Sequence, residues 1–248
     1  MRWPRRWGQG ASAVGTRATG RPSSGNGASS FHLHWRLPPA PLVEVAATVE
    51  VVRPPAVPRL YFWALQVGFS GGGAAHTGLQ WLPHDGGTAA VNWGGYGSDG
   101  RELDGTVSPL PSIDGNPNTR LLAWEAGTPH RLRVFRSPEG HGWRATVDGV
   151  VVRDLFAAGE HLGGPIVWSE VFAACDDPPV VVRWSRFEAT DRAGSRLVPD
   201  AVSVTYQSWA EGGCTNTDVE PDAAGILQVT ATPRRTPHGA VLAVPTPA

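Results

Sequence analysis

Three short runs between residues 59 and 96 constrain the fold more than any other part of the sequence. They cover residues 60–67, 77–82 and 89–96, are rich in β-branched and aromatic residues, and are each followed by glycine-containing segments. This pattern predicts three adjacent antiparallel strands joined by hairpin loops. The first run is apolar at both odd and even positions, so its strand should lie centrally between two layers.

The composition favours many short strands over helices. The 248 residues include 31 Gly and 23 Pro, and no long segment has apolar residues at the helical period. Further alternating runs occur at 31–37, 42–52, 131–136 and 165–172, and Asp148-Gly149 between two such runs is typical of a type I′ hairpin. About twelve strands predict an all-β protein, a two-sheet antiparallel β-sandwich of the jelly-roll type.

The chain divides into three segments by composition. Residues 1–30 are mostly Gly, Ser, Ala and Arg and are predicted to be disordered, residues 31–232 form one sandwich domain, and residues 233–248 form a Pro-rich tail. No stretch approaches the ~20 apolar residues of a membrane span, and the N-terminal segment lacks the apolar run of a signal peptide.

The charge distribution argues against nucleic-acid binding. Five of the 21 basic residues and none of the 22 acids lie in the first 30 residues, so the remainder carries a net charge of −6. A mildly acidic body lacks the basic surface that phosphate backbones require. No nucleic-acid partner is therefore predicted.

Part of the sequence resembles a known family. The hairpin at 142–150, with the Pro-His-Arg-Leu-Arg-Val strand before it and the strand at 183–188 after it, resembles the back half of a concanavalin A-like lectin/glucanase sandwich. The Phe-Ser-Gly-Gly and Thr-Gly-Leu-Gln segments within 69–80 are similar to a stretch in an uncharacterised bacterial family with that fold. The resemblance covers roughly residues 42–190 and implies a concanavalin A-like jelly roll.

That resemblance, together with the residue types of the central strands, predicts a carbohydrate ligand. Sugars present apolar faces and a fringe of hydroxyls, which indole rings and planar amides can bind. The sequence offers such groups on one predicted sheet face: Trp63, Gln66, Gln80, Asn92, Trp93 and Tyr96. A non-catalytic, lectin-like domain is the prediction, and a protein-interaction domain that uses exposed tryptophans is one alternative.

A glycoside hydrolase or polysaccharide lyase of the same fold is the other alternative. A retaining glucanase needs two carboxyls about 5–5.5 Å apart, which this fold supplies from acids that alternate on one strand. That motif is missing, so an enzyme would have to combine Glu170 with Glu188 or with an acid from the loop at 97–118. Otherwise Glu170 is expected to pair with Arg183 or Arg186.

Two groups of residues have the chemistry of metal ligands. His32 and His34 would share one face of a strand, a spacing that can bind zinc, but no third ligand is evident. The loop at 97–118, here called the acidic loop, provides oxygens suited to calcium, namely those of Asp99, Asp104, Asp114 and Asn116. A solvated loop explains these oxygens equally well, so calcium is the one cofactor that the sequence leaves open.

The two cysteines give information on the cellular compartment of the protein. Cys175 and Cys214 lie in polar loop segments and are predicted to form a disulfide, which favours an exported protein. The lack of a recognisable signal peptide favours a cytoplasmic one. The sequence does not define the oligomeric state.

Overall fold

The structure, a computed structural model, describes residues 29–84, 87–113, 116–140 and 142–245. Within these ranges the protein is almost entirely β, as predicted, with one turn of 3₁₀ helix at Trp209–Glu211. The described residues include no helix that is long and apolar enough to span a bilayer. Numbered in chain order, the strands are β1 (Ser29–Arg36), β2 (Leu42–Arg53), β3 (Tyr61–Phe69), β4 (Ala74–Leu82), β5 (Thr88–Tyr96), β6 (Ser112–Ile113), β7 (Asn116–Leu121), β8 (Pro129–Arg136), β9 (Trp143–Val147), β10 (Val150–Leu155), β11 (Leu162–Val171), β12 (Val181–Asp191), β13 (Arg196–Leu197), β14 (Ala201–Tyr206), β15 (Asp218–Pro221), β16 (Ile226–Val229) and β17 (Val241–Ala243).

The strands form a two-layer antiparallel sandwich. The front layer has the order β6–β7–β5–β4–β3–β11–β1–β14–β17. The back layer has the order β10–β9–β8–β2–β12–β16–β15, and β13 pairs with the end of β12. The layers meet where Leu162 of β11 pairs with Leu42 of β2, so the hydrogen-bonded network is continuous.

The hydrophobic core fills the space between the layers. The three adjacent strands predicted from residues 59–96 are confirmed as β3, β4 and β5. The core also contains six residues that the alternation predicts, namely Leu65, Leu79, Val91, Leu132, Val147 and Val182. Phe62, predicted with them, instead points away from the core and packs with Ala64 and Trp168 in a separate small cluster. Successive strand residues face opposite sides, and β3 is apolar on both.

The sandwich extends beyond the segment boundaries predicted from composition. Most of the N-terminal segment 1–30 lies outside the described residues, but Ser29 and Ser30 already belong to β1. At the other end, β17 pairs with β14. The fully buried Asp218 carboxylate accepts the backbone N–H groups of Arg235 and Thr236. These hydrogen bonds hold the chain beyond residue 232 against the sandwich.

Cys175 and Cys214 form a disulfide in this structure. It connects the loop after β11 to the segment before β15. The backbone N–H of Cys214 also donates to the Ser29 hydroxyl over 2.8 Å. The disulfide therefore anchors the start of β1, next to the face described below.

Candidate functional site

The surface of the front layer that points away from the core, here called the front face, carries the polar groups of the central strands. The odd-numbered residues of β3 are buried in the core, so its even-numbered residues face outward. Strand pairing aligns Gln80, Phe62 and Glu170 across β4, β3 and β11, and we call these three the Glu170 row. Two strand spacings place the Cα atoms of Gln80 and Glu170 about 9.6 Å apart, with the Phe62 ring between them.

Two parallel rows of residues lie beside the Glu170 row. The first contains Thr119, Asn92, Gly78, Ala64, Trp168, His32 and Thr205. The second contains Gly94, His76, Gln66, Ile166, His34 and Ser203. In the three rows that these strands form, Glu170 is the sole acid.

The Glu170 carboxyl occupies an apolar setting. It is half-buried, its cross-strand neighbour is Phe62, and Trp168 lies two residues before it on the same face. Burial raises the pKa of Glu170 to about 7, although a hydrogen bond from the Ser30 side chain favours the ionised form. A carboxyl with a pKa near neutrality can both accept and donate a proton at physiological pH.

The three carboxamides of the front face are only partly satisfied. Gln66 Oε1 accepts the Trp168 indole N–H over 3.2 Å, and Asn92 Nδ2 donates to Thr119 Oγ1 over 3.2 Å. Gln80 and Asn92 are 6% and 5% exposed, and within the described part of the chain Gln80 Oε1 and Asn92 Oδ1 have no hydrogen-bond partner. A buried polar atom without a partner is costly, so these two oxygens are free to accept a hydrogen bond.

The histidines of the front face are neutral near physiological pH. Burial lowers the pKa of His76 to about 4, and burial together with the neighbouring His34 lowers that of His32 to about 4. The rings of His76 and His32 lie 5.5 and 6.4 Å from the Trp168 ring. His32 and His34 do share one face, but no group of three metal-ligating side chains occurs among the described residues.

The predicted ligand-binding residues do not all lie together. Gln66, Gln80, Asn92 and Tyr96 do share the front face. Trp63 and Trp93 occupy odd positions that face the core and are 1% and 0% exposed. The predicted aromatic platform is therefore wrong, since neither indole can stack on a ligand.

The predicted acid pair is also wrong. Glu170 lies on the front face, whereas Glu188 lies on the opposite outer surface of the sandwich, where it pairs with Arg131 and Arg196. The alternative partner Arg183 is in the back layer and bonds Glu50 and Asp222. A register shift in β12 separates Ser185 from Glu188, and alternation along the sequence cannot reveal such a shift.

The acidic loop does not assemble a calcium site from its described residues. Asp99 Oδ1 accepts the backbone N–H of Arg101 at 3.0 Å, and Asn116 Oδ1 accepts that of Asn118 at 3.0 Å. Asp104 lies nearby in the loop, where its backbone carbonyl accepts the N–H of Phe156. Asp114 lies outside the described residues, so calcium binding stays a prediction.

Sequence reasoning missed the alignment of Glu170 with Gln80. Alternation correctly places Ile166, Trp168 and Glu170 on one side of β11, but β3 and β11 are about 100 residues apart in sequence. No local signal predicts that they pair. Ser30 was missed for the same reason, whereas His76 lies opposite Gln66 in the predicted β3–β4 pair and could have been found from the alternation.

The stability of the protein should carry a pH signature of Glu170. Its pKa is higher in the folded than in the unfolded state, so protonated Glu170 contributes stability that is complete below about pH 4.5 and is lost as the pH rises through about 7. Glu170→Gln removes this dependence. The gap in unfolding midpoint, variant minus wild type, should widen between these pH values and then level off, as thermal unfolding of both proteins would measure.

The histidines do not obscure this comparison. Their lowered pKa values make stability rise with pH between about 4 and 6.5, but both proteins contain them, so their contribution cancels in the difference. A midpoint gap that stays constant across the range would show that Glu170 has an ordinary pKa.

Comparison with known proteins gives distant structural likenesses only. No protein-family model matches the chain, and no curated protein matches it. Three similar solved structures are a Scytalido-glutamic peptidase with a peptide-based transition state analog, SCP-B of the eqolisin family in complex with the tripeptide Ala-Ile-His, and a scytalido-glutamic peptidase with a transition state analog inhibitor. Their identities to this chain are 11%, 11% and 14%, and their TM-scores are 0.44, 0.41 and 0.36. The matches cover 82% of this chain and 98%, 96% and 98% of the others.

The structure corrects the functional prediction. The indoles predicted to stack on a sugar, Trp63 and Trp93, are buried in the core, and the predicted acids Glu170 and Glu188 lie on opposite outer surfaces. The carbohydrate-binding prediction is therefore wrong, and its hydrolase or lyase alternative has no support. Without a matching family model, the resemblance to concanavalin A-like proteins stays a prediction.

Proposed function

We propose that this chain hydrolyses peptide bonds on its front face, with Glu170 as the proton-transfer group and Gln80 as the carbonyl-binding group. The observation that carries the proposal is the Glu170 row, where one carboxyl with a pKa of about 7 lies in register with a buried, unsatisfied carboxamide.

The chemistry follows from the two groups. Ionised Glu170 takes a proton from a water molecule as the water oxygen bonds to the substrate carbonyl carbon. The Gln80 Nε2–H donates to the carbonyl oxygen as negative charge develops on it, and the unpaired Gln80 Oε1 is left to accept an N–H of the substrate. Protonated Glu170 then gives its proton to the leaving nitrogen, the C–N bond breaks, and the carboxylate is restored.

The single carboxyl group of the front-face rows favours cleavage of an amide bond over cleavage of a glycosidic bond. Glycoside hydrolysis generally needs two carboxyls that flank the scissile bond, and the three rows contain one. Acyl transfer needs one proton-transfer group and hydrogen-bond donors for the oxyanion. The unsatisfied Asn92 Oδ1, in the next row, suits an N–H of the substrate main chain.

The test is cleavage of a mixture of unstructured peptides by the wild-type protein, followed by mass spectrometry at a series of pH values. The initial rate should rise about tenfold per pH unit below the Glu170 pKa of about 7 and level off above it, because only the carboxylate activates water. Absence of cleavage at every pH, or a rate that does not change across this midpoint, would contradict the proposal.

A further inference from the structure

An arginine on the opposite side of the sandwich has an unusual backbone conformation. Arg186 in β12 has a φ of 48°, in the left-handed region that residues with a Cβ rarely adopt. Of the two other such residues with a Cβ among those described, Ala231 lies after the end of β16, and Asp148 is explained by its type I′ turn with Gly149. Arg186 has no such turn, and strain of this kind persists where the surrounding structure enforces it.

The strain at Arg186 accompanies a β-bulge. Pairing between β12 and β2 shifts register between Ser185 and Glu188. Trp184 and Phe187 are both buried, so the extra residue keeps two large side chains in the core and turns Arg186 outward. The Arg186 carbonyl accepts a hydrogen bond from the Arg131 guanidinium, which holds the bulge in place.

The exposed Arg186 side chain lies where two surface clefts meet. One cleft of about 730 Å³ is lined by Thr48, Arg131, Arg183, Ser185 and Arg186, among others. A second cleft of about 620 Å³ shares Arg186 and Glu188 with it. We call the first the back groove; Pro129, Ala223 and Ala224 give it an apolar wall.

The other two arginines of the back groove have acidic partners. Arg183 pairs with Glu50, and Arg131 pairs with Glu188. Asp148 bonds the His130 ring at 2.7 Å. Arg186 has no ion-pair partner among the residues that the structure describes. Its acidic neighbour Glu188 already pairs with Arg131 and Arg196. Its guanidinium therefore offers a free set of donors in a groove whose lining carries three arginines and three acids.

We propose that the back groove binds a carboxylate through the Arg186 guanidinium, at a site separate from the Glu170 row. The planar fork of N–H donors matches a carboxylate with two parallel hydrogen bonds. The alanine and proline wall accommodates a small apolar group attached to that carboxylate. Either a free organic acid or the C-terminus of a peptide presents this chemistry.

Titration of the full chain, carrying Glu170→Gln to prevent turnover, distinguishes these sources. The probes are acetyl-dialanine with a free C-terminus, its C-terminal amide, and acetate, followed by NMR shifts of arginine side chains. We expect the free acid to bind and the amide not to bind. Acetate that binds as tightly as the peptide acid assigns the site to a free organic acid, and weaker acetate binding assigns it to a peptide C-terminus.

Variants at Arg186 complete the test. Arg186→Gln should weaken binding of the acid about tenfold, because it removes the charged hydrogen bonds. Arg101→Gln, a change at an exposed arginine in the 97–113 loop, should leave binding unchanged. Equal binding of acid and amide, or binding that survives Arg186→Gln, would overturn the proposal.

A stability measurement addresses the strained backbone separately. Arg186→Gly should fold, lose carboxylate binding, and unfold at a temperature about 2–4 °C higher, because glycine adopts positive φ without a Cβ penalty. A lower unfolding temperature would indicate that the Arg186 side chain serves folding, and would overturn its assignment to a binding site.

Discussion

Glu170→Gln should reduce kcat/KM for peptide cleavage by about 10²–10⁴-fold, the usual contribution of a general acid–base group. Glutamine has nearly the same shape as glutamate but cannot take a proton from water. The change should not destabilise the site, because burial there disfavours the ionised carboxylate, as its raised pKa of about 7 indicates. Steady-state kinetics with a peptide identified as a substrate would measure the loss.

A matched variant controls for nonspecific effects of removing a strand glutamate. Glu44 lies in β2 of the back layer, where it bonds Arg133 at 2.7 and 2.9 Å. Glu44→Gln should leave kcat/KM essentially unchanged. If Glu170→Gln and Glu44→Gln retain equal activity, Glu170 is not the proton-transfer group.

A second variant separates proton transfer from carbonyl binding. Gln80→Ala should lower kcat by about 10²–10³-fold, as for removal of one oxyanion donor, but leave the midpoint of the pH profile near 7. Glu170 sets that midpoint, and Gln80 carries no titratable group. A shift of the midpoint in Gln80→Ala would show that the two residues do not have the separate roles assigned above.

Trp93→Ala should lower the free energy of unfolding by about 3–5 kcal/mol. The indole is 0% exposed in the core, and its N–H donates to the Trp143 carbonyl at 3.2 Å. Truncation leaves a large cavity between the layers and removes the hydrogen bond to the Trp143 carbonyl. Urea denaturation, extrapolated linearly to water, would measure the change.

An exposed aromatic residue provides the comparison for Trp93. Phe156 is 51% exposed, so Phe156→Ala should cost less than about 1 kcal/mol. Similar losses for the two variants would mean that Trp93 is not a core residue. This experiment also separates the structure from the sequence-based hypothesis, in which Trp93 stacks on a ligand and its removal leaves the fold intact.

The sequence by itself determined the local architecture. Alternating runs and the Asp148-Gly149 turn were sufficient for the strands and for the neighbouring positions of β3, β4 and β5. The alternation also placed Gln66, Gln80 and Asn92 on one face. These inferences succeed because successive side chains of a strand point to opposite faces of the sheet, so residue number alone separates the two faces.

Only the tertiary structure decided which face of those strands is buried and what lies opposite Glu170. In β3, Phe62 and Trp63 are neighbours of similar apolar character, so the pattern cannot say which of them faces the core. The pairing of β3 with β11 joins distant segments, and it alone brings Glu170 beside Phe62 and Gln80. The bulge at Arg186 likewise reverses the facing of every later residue in β12, and its cause is packing of Phe187 in the core. Contacts between distant parts of the chain set each of these features, and local alternation carries no information about them.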